Sequence, residues 1–162
     1  MSRVLVAGIG NIFLGDDGFG VEVARRLAAD GLPNGAVVFD FGVRGIDLAY
    51  AIEKHDAAIL VDATQRGGEP GTVYVLEPEL QRGQHQPASP DGHRLTPDRV
   101  LSMLEPASWP SFLRVVGCEP ESFGAPGLGR VGLSPPVSGA VAPACRRVRE
   151  LVSTQLWEAD HA

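Results

Sequence analysis

The sequence predicts an α/β fold, a three-layer αβα sandwich whose five-stranded sheet is mostly parallel. Short apolar segments alternate with amphipathic segments along most of the chain, a pattern typical of a parallel sheet covered by helices on both faces. The segment 57–61 is continuously apolar, as expected for a central strand buried on both faces. The 162 residues contain no repeat and no linker, so we expect a single domain, 1–162.

The first half of the chain is predicted to contain three strands and two helices. An apolar run at 3–7 forms the first strand, and the helix 18–29 follows because Phe19, Val23 and Leu27 recur at intervals of four residues. The other elements are strands at 36–41 and 57–61 and a short helix at 46–52.

The second half is predicted to add two strands and two helices. Strand 72–77 follows 57–61 through a short loop, and so close a connection favours one antiparallel strand. Thr96 and Pro97 are a start signal for a helix, and the fifth strand covers 113–118. A last helix begins after Ser134, which we expect to cap it. Its apolar stripe consists of Val137, Val141, Cys145, Val148 and Val152.

Composition excludes several classes of partner. The net charge of −6 and the pI near 5.1 argue against nucleic acid or an anionic membrane as the main partner. No apolar run is long enough to span a bilayer, and the N-terminus lacks the pattern of a secretory leader. Cys118 and Cys145 lie far apart without metal-site spacing, which is typical of buried, reduced thiols. We therefore expect a cytoplasmic protein.

The stretch 4–20 contains the strongest motif, a buried strand followed by a glycine-rich turn and a helix. A dinucleotide site would need a third glycine where Phe13 stands, and Asp16 and Asp17 would repel a pyrophosphate. A capping role is expected for one aspartate, Asp16, at the helix that begins near Gly18. That leaves the Asp17 carboxylate free for cation binding or proton transfer.

Three groups follow strands at one edge of the predicted sheet: Asp17 after the first strand, Asp62 at the end of the third, and His93 in the long polar loop 78–95. Two carboxylates and an imidazole suit a divalent transition metal with open coordination positions. Each has an alternative explanation, since Asp62 fits an Asx turn and His93 fits a solvated loop. His85 competes with His93 as a ligand.

Other kinds of site lack their motifs. The chain has no His-Glu-x-x-His, no Gly-x-Ser-x-Gly and no cysteine near a histidine in sequence. His55 and His161 have the surroundings of surface residues. The residues by themselves therefore indicate an α/β domain with a candidate acidic metal site.

Five motifs together resemble the family of hydrogenase maturation proteases, which trim the large subunit of nickel–iron hydrogenases. The resemblance covers about 3–156 of the chain. It rests on Gly-Ile-Gly-Asn at 8–11 with Gly-Asp-Asp-Gly-Phe-Gly at 15–20, Leu-Val-Asp-Ala at 60–63, Ser-Pro-Asp-Gly-His at 89–93, Val-Gly-Cys-Glu-Pro-Glu-Ser at 116–122 and Gly-Leu-Ser-Pro at 132–135.

The resemblance implies an endopeptidase that removes the C-terminal extension of a large-subunit precursor after nickel insertion. It implies a phosphorylase/hydrolase-like fold and assigns Asp17, Asp62 and His93 as both metal-binding and catalytic residues. The metal would be nickel supplied by the precursor, which is the expected partner, and we expect the chain to be a monomer. One departure from the family pattern is Val43, where the family often has a small hydroxyl residue. This departure is what we would expect of a member that acts on a different subgroup of substrates.

Two other functions are compatible with the sequence. The chain could be a nickel-sensing assembly protein that binds the precursor without cutting it, although the presence of all three ligand types argues against this. It could also be a nucleotide-binding α/β domain, which binding of NAD or ATP would reveal.

Overall fold

The computed structural model describes residues 3–78, 94–125 and 127–162. His85, His93 and nearly all of the predicted loop 78–95 lie outside these ranges. Within them the chain forms five strands, four α-helices and two 3-10 helices. In chain order these are β1 Val4–Ile9, a 3-10 helix Gly15–Gly18, α1 Phe19–Asp30, β2 Ala36–Gly42, α2 Gly45–Glu53, β3 Ala57–Ala63, β4 Val73–Leu76, α3 Pro97–Leu101, a 3-10 helix Pro106–Ser108, β5 Phe112–Cys118 and α4 Pro135–Asp160.

The strands form one mixed sheet in the order β2-β1-β3-β5-β4. β1, β2, β3 and β5 are parallel, and β4 is antiparallel to β5. The predicted fold class, the central position of β3 and the single antiparallel strand are confirmed. β4 pairs with β5 and not with β3, its predecessor in sequence, because both edges of β3 are already occupied by β1 and β5.

Helices cover both faces of the sheet and divide the core in two. Alternate residues of β1 face opposite sides: Val4 and Val6 pack with α1 and α4, whereas Leu5 and Ala7 pack with α2 and α3. All six residues of β1 and all seven of β3 are buried, as expected for parallel strands between two layers of helices. Each buried Leu, Ile or Val side chain contributes about 1.5–3 kcal/mol.

The helix signals of the sequence are also found. The stripe of α1, Phe19, Val23 and Leu27, is fully buried. At the start of α3 the hydroxyl of Thr96 accepts a hydrogen bond from the Arg99 amide, with Pro97 as the first helical residue. Among the described helices, none has the combination of length and apolar character that crossing a membrane would require.

The two cysteines are buried and not paired with each other. Burial, with the charges of Asp16 and Glu119, raises the pKa of the Cys118 thiol to about 12. A thiol with so high a pKa is almost entirely protonated at neutral pH and is a poor nucleophile.

Glu119 holds the loop between β3 and β4 against the end of β5. Its carboxylate accepts hydrogen bonds from the amides of Arg66 and Gly68 and from the hydroxyl of Tyr74, at 2.7–3.2 Å. Burial by itself raises the pKa of Glu119, but these hydrogen bonds outweigh it, so the pKa lies below its ordinary value. The ionised carboxylate therefore stabilises the folded state.

We expect Glu119→Gln to lower the free energy of unfolding at pH 7 by about 1–3 kcal/mol, because an amide lacks the second acceptor oxygen and directs N–H groups at other donors. Urea denaturation measures the loss, with exposed Glu53→Gln as the control. A depressed pKa contributes stability above the unfolded-state value and loses it as pH falls through the folded-state value. The difference between wild type and variant should therefore shrink in acid, and a difference independent of pH would contradict the ionic role of Glu119.

Candidate functional site

The carboxyl ends of β1, β3 and β5 meet at one edge of the sheet, and the motif after β1 lies there. The amide of Gly10 donates to the Gly42 carbonyl at the end of β2, and the chain then turns into the Gly15–Gly18 3-10 helix. This short helix carries Asp16 and Asp17, both fully buried. Two adjacent buried carboxylates need different partners, and the structure provides them.

Asp16 is a structural residue. It accepts hydrogen bonds from the amides of Glu121, Ser122 and Ser134 and from the Ser134 hydroxyl, at 2.7–3.0 Å. Burial alone raises the pKa of Asp16, but hydrogen bonds from Ser134, Ser122 and Glu121 lower it below its ordinary value. The carboxylate thus joins the turn after β1 to the segment after β5 and to the start of α4.

The predicted capping role of Asp16 is therefore wrong, since α1 begins after Gly18 without a side-chain cap. Ser134 does occupy the cap position of α4, but its hydroxyl donates to Asp16 and makes no capping hydrogen bond. Asp16 and Ser134 thus bond to each other, across 118 residues of sequence, and neither caps the helix next to it.

Asp17 faces the carboxyl end of β3. Its Oδ2 accepts the amide hydrogen of Asn11 at 2.9 Å, and its Oδ1 lies 3.0 Å from both Nε and Nη2 of Arg94. The arginine is itself buried, with 8% of its surface exposed. Both oxygens of Asp17 therefore have partners in this structure.

Asp62 lies near the end of β3 and is 1% exposed. Its Oδ1 has no hydrogen-bond partner among the residues that the structure describes. Burial, followed by the charge of Asp17, raises the pKa of Asp62 well above its ordinary value, and the charge of Arg94 partly offsets this. The Asx turn that would explain Asp62 does not form, because the Thr64 amide donates to the Cys118 carbonyl.

Close packing of α1 on the sheet brings Asp17 towards Asp62. A Cβ atom at Gly20 would overlap the carbonyl oxygens of Val61 and Ile9, and one at Gly8 would overlap the Gly20 carbonyl. Only glycine permits this approach, so the glycines of the opening motif determine how near the 3-10 helix lies to β3.

Of the three predicted ligands, Asp17 and Asp62 lie within the described residues. Asp17 and Asp62 are close enough for the charge of one to raise the pKa of the other. His93 and its competitor His85 lie outside the described residues, and within those residues no cluster of three His, Cys, Asp or Glu side chains is found. The ligand set Asp17, Asp62 and His93 stays a prediction. His161 is exposed, as expected, and His55 is half-buried, with Nδ1 2.7 Å from the Ala51 carbonyl oxygen.

Arg94 is the site residue that sequence reasoning missed. The guanidinium packs 4.0 Å from the ring centre of Phe123, and the backbone carbonyl of Arg94 accepts a hydrogen bond from Nη1 of Arg99. Its only signal in the sequence is its position directly after His93. Nothing local distinguishes an arginine that pairs with a buried carboxylate 77 residues away from a solvated one.

The donor set fits a cation. Asp62 presents a buried carboxyl oxygen without a partner in the described part of the chain, and Asp17 adds a second carboxylate. Carboxylate oxygens are suitable ligands for divalent ions. A buried acceptor without a partner destabilises the fold until a cation or a hydrogen-bond donor binds to it. A groove of about 660 Å³ lies between α1 and the start of α4, but Asp17, Asp62 and Arg94 are not among the described residues that line it. The buried carboxylate pair is therefore the better candidate for chemistry.

Comparison with known proteins identifies the family to which this chain is similar. Residues 21–150 match the model of the HycI family, described as hydrogenase maturation protease. The hydrogenase 2 maturation protease of Escherichia coli (strain K12) is 33% identical over 153 residues, which are 90% of this chain and 88% of that protein. The hydrogenase expression/formation protein HupD of Rhizobium leguminosarum bv. viciae is 33% identical over 144 residues, 86% of this chain and 68% of that protein.

Solved structures show the same fold. The hydrogenase maturating endopeptidase HybD from E. coli superimposes with a TM-score of 0.76 at 30% identity, covering 94% of this chain and 93% of that one. The [NiFe] hydrogenase maturation protease HycI from Thermococcus kodakarensis KOD1 gives a TM-score of 0.70 at 26% identity, with the same coverage of 94% and 93%.

Proposed function

Because the chain belongs to the hydrogenase maturation protease family, we propose that it removes the C-terminal extension of a nickel–iron hydrogenase large-subunit precursor after nickel insertion. The chain is a hydrogenase maturation endopeptidase, like the proteins it resembles. The position of the cut, the dependence on nickel and the acting residues Asp17, Asp62 and His93 are the proposed part.

The buried carboxylate pair supports this function most directly. Asp62 keeps an oxygen without a partner in the described structure, next to a second carboxylate. A cation delivered by the precursor would satisfy that oxygen, and His93 would complete a set of three ligands. Three ligands leave coordination positions open, so nickel can remain bound to the precursor while this site engages it.

The residues of the chain have separable roles in hydrolysis. The precursor's nickel, once engaged, would polarise the scissile carbonyl. In the substrate-free protein both oxygens of Asp17 already accept hydrogen bonds, so Asp62 is the better general base, through whichever of its oxygens the cation does not bind. Asp62 takes a proton from water, the water oxygen bonds to the carbonyl carbon, the C–N bond breaks, and the proton passes to the leaving amine.

The two other functions are tested separately. For nucleotide binding, the Asn11 amide after β1 would have to face a phosphate, but it donates to Asp17 instead. We expect NAD and ATP to leave the melting temperature unchanged, and a clear shift with either would favour a nucleotide site. A non-catalytic assembly protein would bind the precursor and leave its length unchanged.

The proposed function is tested with two precursors that both carry the C-terminal extension, one loaded with nickel and one nickel-free. Only the loaded form should be shortened, because its cation supplies what the site lacks and favours association with the negatively charged carboxylate site. Mass spectrometry of the products locates the cut. Equal cleavage of the nickel-free precursor would instead indicate recognition of the extension's sequence.

A further inference from the structure

Arg94 places a positive charge beside the two carboxylates. Two of its nitrogens lie 3.0 Å from the same oxygen of Asp17. Its charge also acts on Asp62, where it opposes the rise in pKa caused by burial and by Asp17. One guanidinium thus compensates a buried pair of like charges, the task that a bound cation would otherwise perform.

The arginine is held there by contacts on several sides. Its guanidinium lies 4.0 Å from the ring centre of Phe123, and its carbonyl accepts a hydrogen bond from Arg99 at 3.0 Å. Removing one member of a buried ion pair leaves an uncompensated charge, which is strongly destabilising. The buried carboxylate of Asp17 therefore needs a cation beside it in the substrate-free protein, and the chain supplies its own.

We propose that Arg94 is a built-in counter-cation, which pairs with Asp17 in the substrate-free protein and gives up this carboxylate when the precursor's divalent cation arrives. The identity of that cation rests on the proposed function. Two cations repel each other in a buried site, so Arg94 lowers the affinity of the isolated protein for free metal ions. A metal seated in a precursor brings the binding energy of the protein–protein contact, which offsets the displacement of Arg94. The site thereby discriminates a metal-loaded protein from metal in solution.

The test measures Ni²⁺ binding to the isolated protein by calorimetry, with no precursor present. Arg94→Gln should bind Ni²⁺ at least about tenfold more tightly than the wild type, because a repelling charge is gone and an oxygen of Asp17 is released. The double variant Arg94→Gln/Asp62→Asn should lose that gain. The matched control is Arg114→Gln, since Arg114 also has an acidic partner, Glu77, and lies 4.4 Å from an aromatic ring centre. The Arg114→Gln variant should bind Ni²⁺ with the affinity of the wild type.

An Arg94→Gln variant that binds Ni²⁺ no more tightly than the wild type would overturn the counter-cation role. If this variant is unfolded without metal, Ni²⁺ should restore its circular dichroism spectrum and cooperative melting, because binding to the native state shifts the folding equilibrium. A failure of Ni²⁺ to restore folding would equally contradict the proposal. The calorimetry uses no precursor, so its result does not depend on cleavage. If the separate assay showed no shortening of the nickel-loaded precursor, the proposed function would be overturned, but a measured gain in Ni²⁺ affinity would still support the counter-cation role.

Discussion

Asp62→Asn should lower the rate of precursor processing by at least about 100-fold, the usual contribution of a positioned acid or base. The amide has nearly the same size but cannot take a proton from water, and it lacks the charge that a cation site requires. Processing is followed by the shortening of a nickel-loaded precursor. Asp56→Asn is a matched control, because Asp56 is exposed and lies just before β3, at the other end of the strand.

Stability separates a catalytic role of Asp62 from a structural one. Burial and the Asp17 charge raise the pKa of Asp62, so its ionised form disfavours folding above the unfolded-state pKa. The free energy of unfolding of the Asp62→Asn variant at pH 7 should therefore be equal to or higher than that of the wild type. Normal processing by this variant, or a clear loss of stability, would show that Asp62 is a structural residue.

Gly20→Ala should lower the free energy of unfolding by about 3 kcal/mol, at the upper end of overpacking effects. The added methyl would overlap the backbone carbonyls of Val61 and Ile9, and backbone atoms cannot move aside as a flexible side chain can. Relief requires the start of α1 to move away from β3, which would also separate Asp17 from Asp62. Processing should fall with stability, and urea denaturation with a cleavage assay measures both.

Gly139→Ala provides the control for this substitution. Gly139 is an exposed residue of α4, and a Cβ atom there would meet no heavy atom within 4 Å. Alanine should stabilise the helix by up to about 1 kcal/mol, because it is the better helix former. If the two substitutions changed the free energy of unfolding equally, the close backbone packing at Gly20 would not be the reason that glycine is needed there.

Local patterns in the sequence were enough to predict most of the fold. The periodicity of Phe19, Val23 and Leu27 placed α1, and the continuous apolar character of 57–61 placed β3 in the centre of the sheet. Such patterns can be read over about ten residues, because helix and strand repeat their buried face every 3.6 and 2 positions. For the five strands and for α1 and α2, the predicted ends lie within two residues of the observed ones, since the last helical turn or strand pair depends on neighbouring segments. β3, for example, extends to Ala63.

The sequence by itself thus determined the layers, the central strand, the edge where Asp17 and Asp62 lie and, through its motifs, the family. Only the tertiary structure decided which aspartate is structural, because the partners of Asp16 at 121–134 and of Asp17 at Arg94 are far away in the chain. It also decided that β4 pairs with β5 and that Asp62 keeps an oxygen without a partner among the described residues. Hydrogen-bond partners and pKa values depend on contacts that folding creates between distant segments, and no local periodicity encodes them.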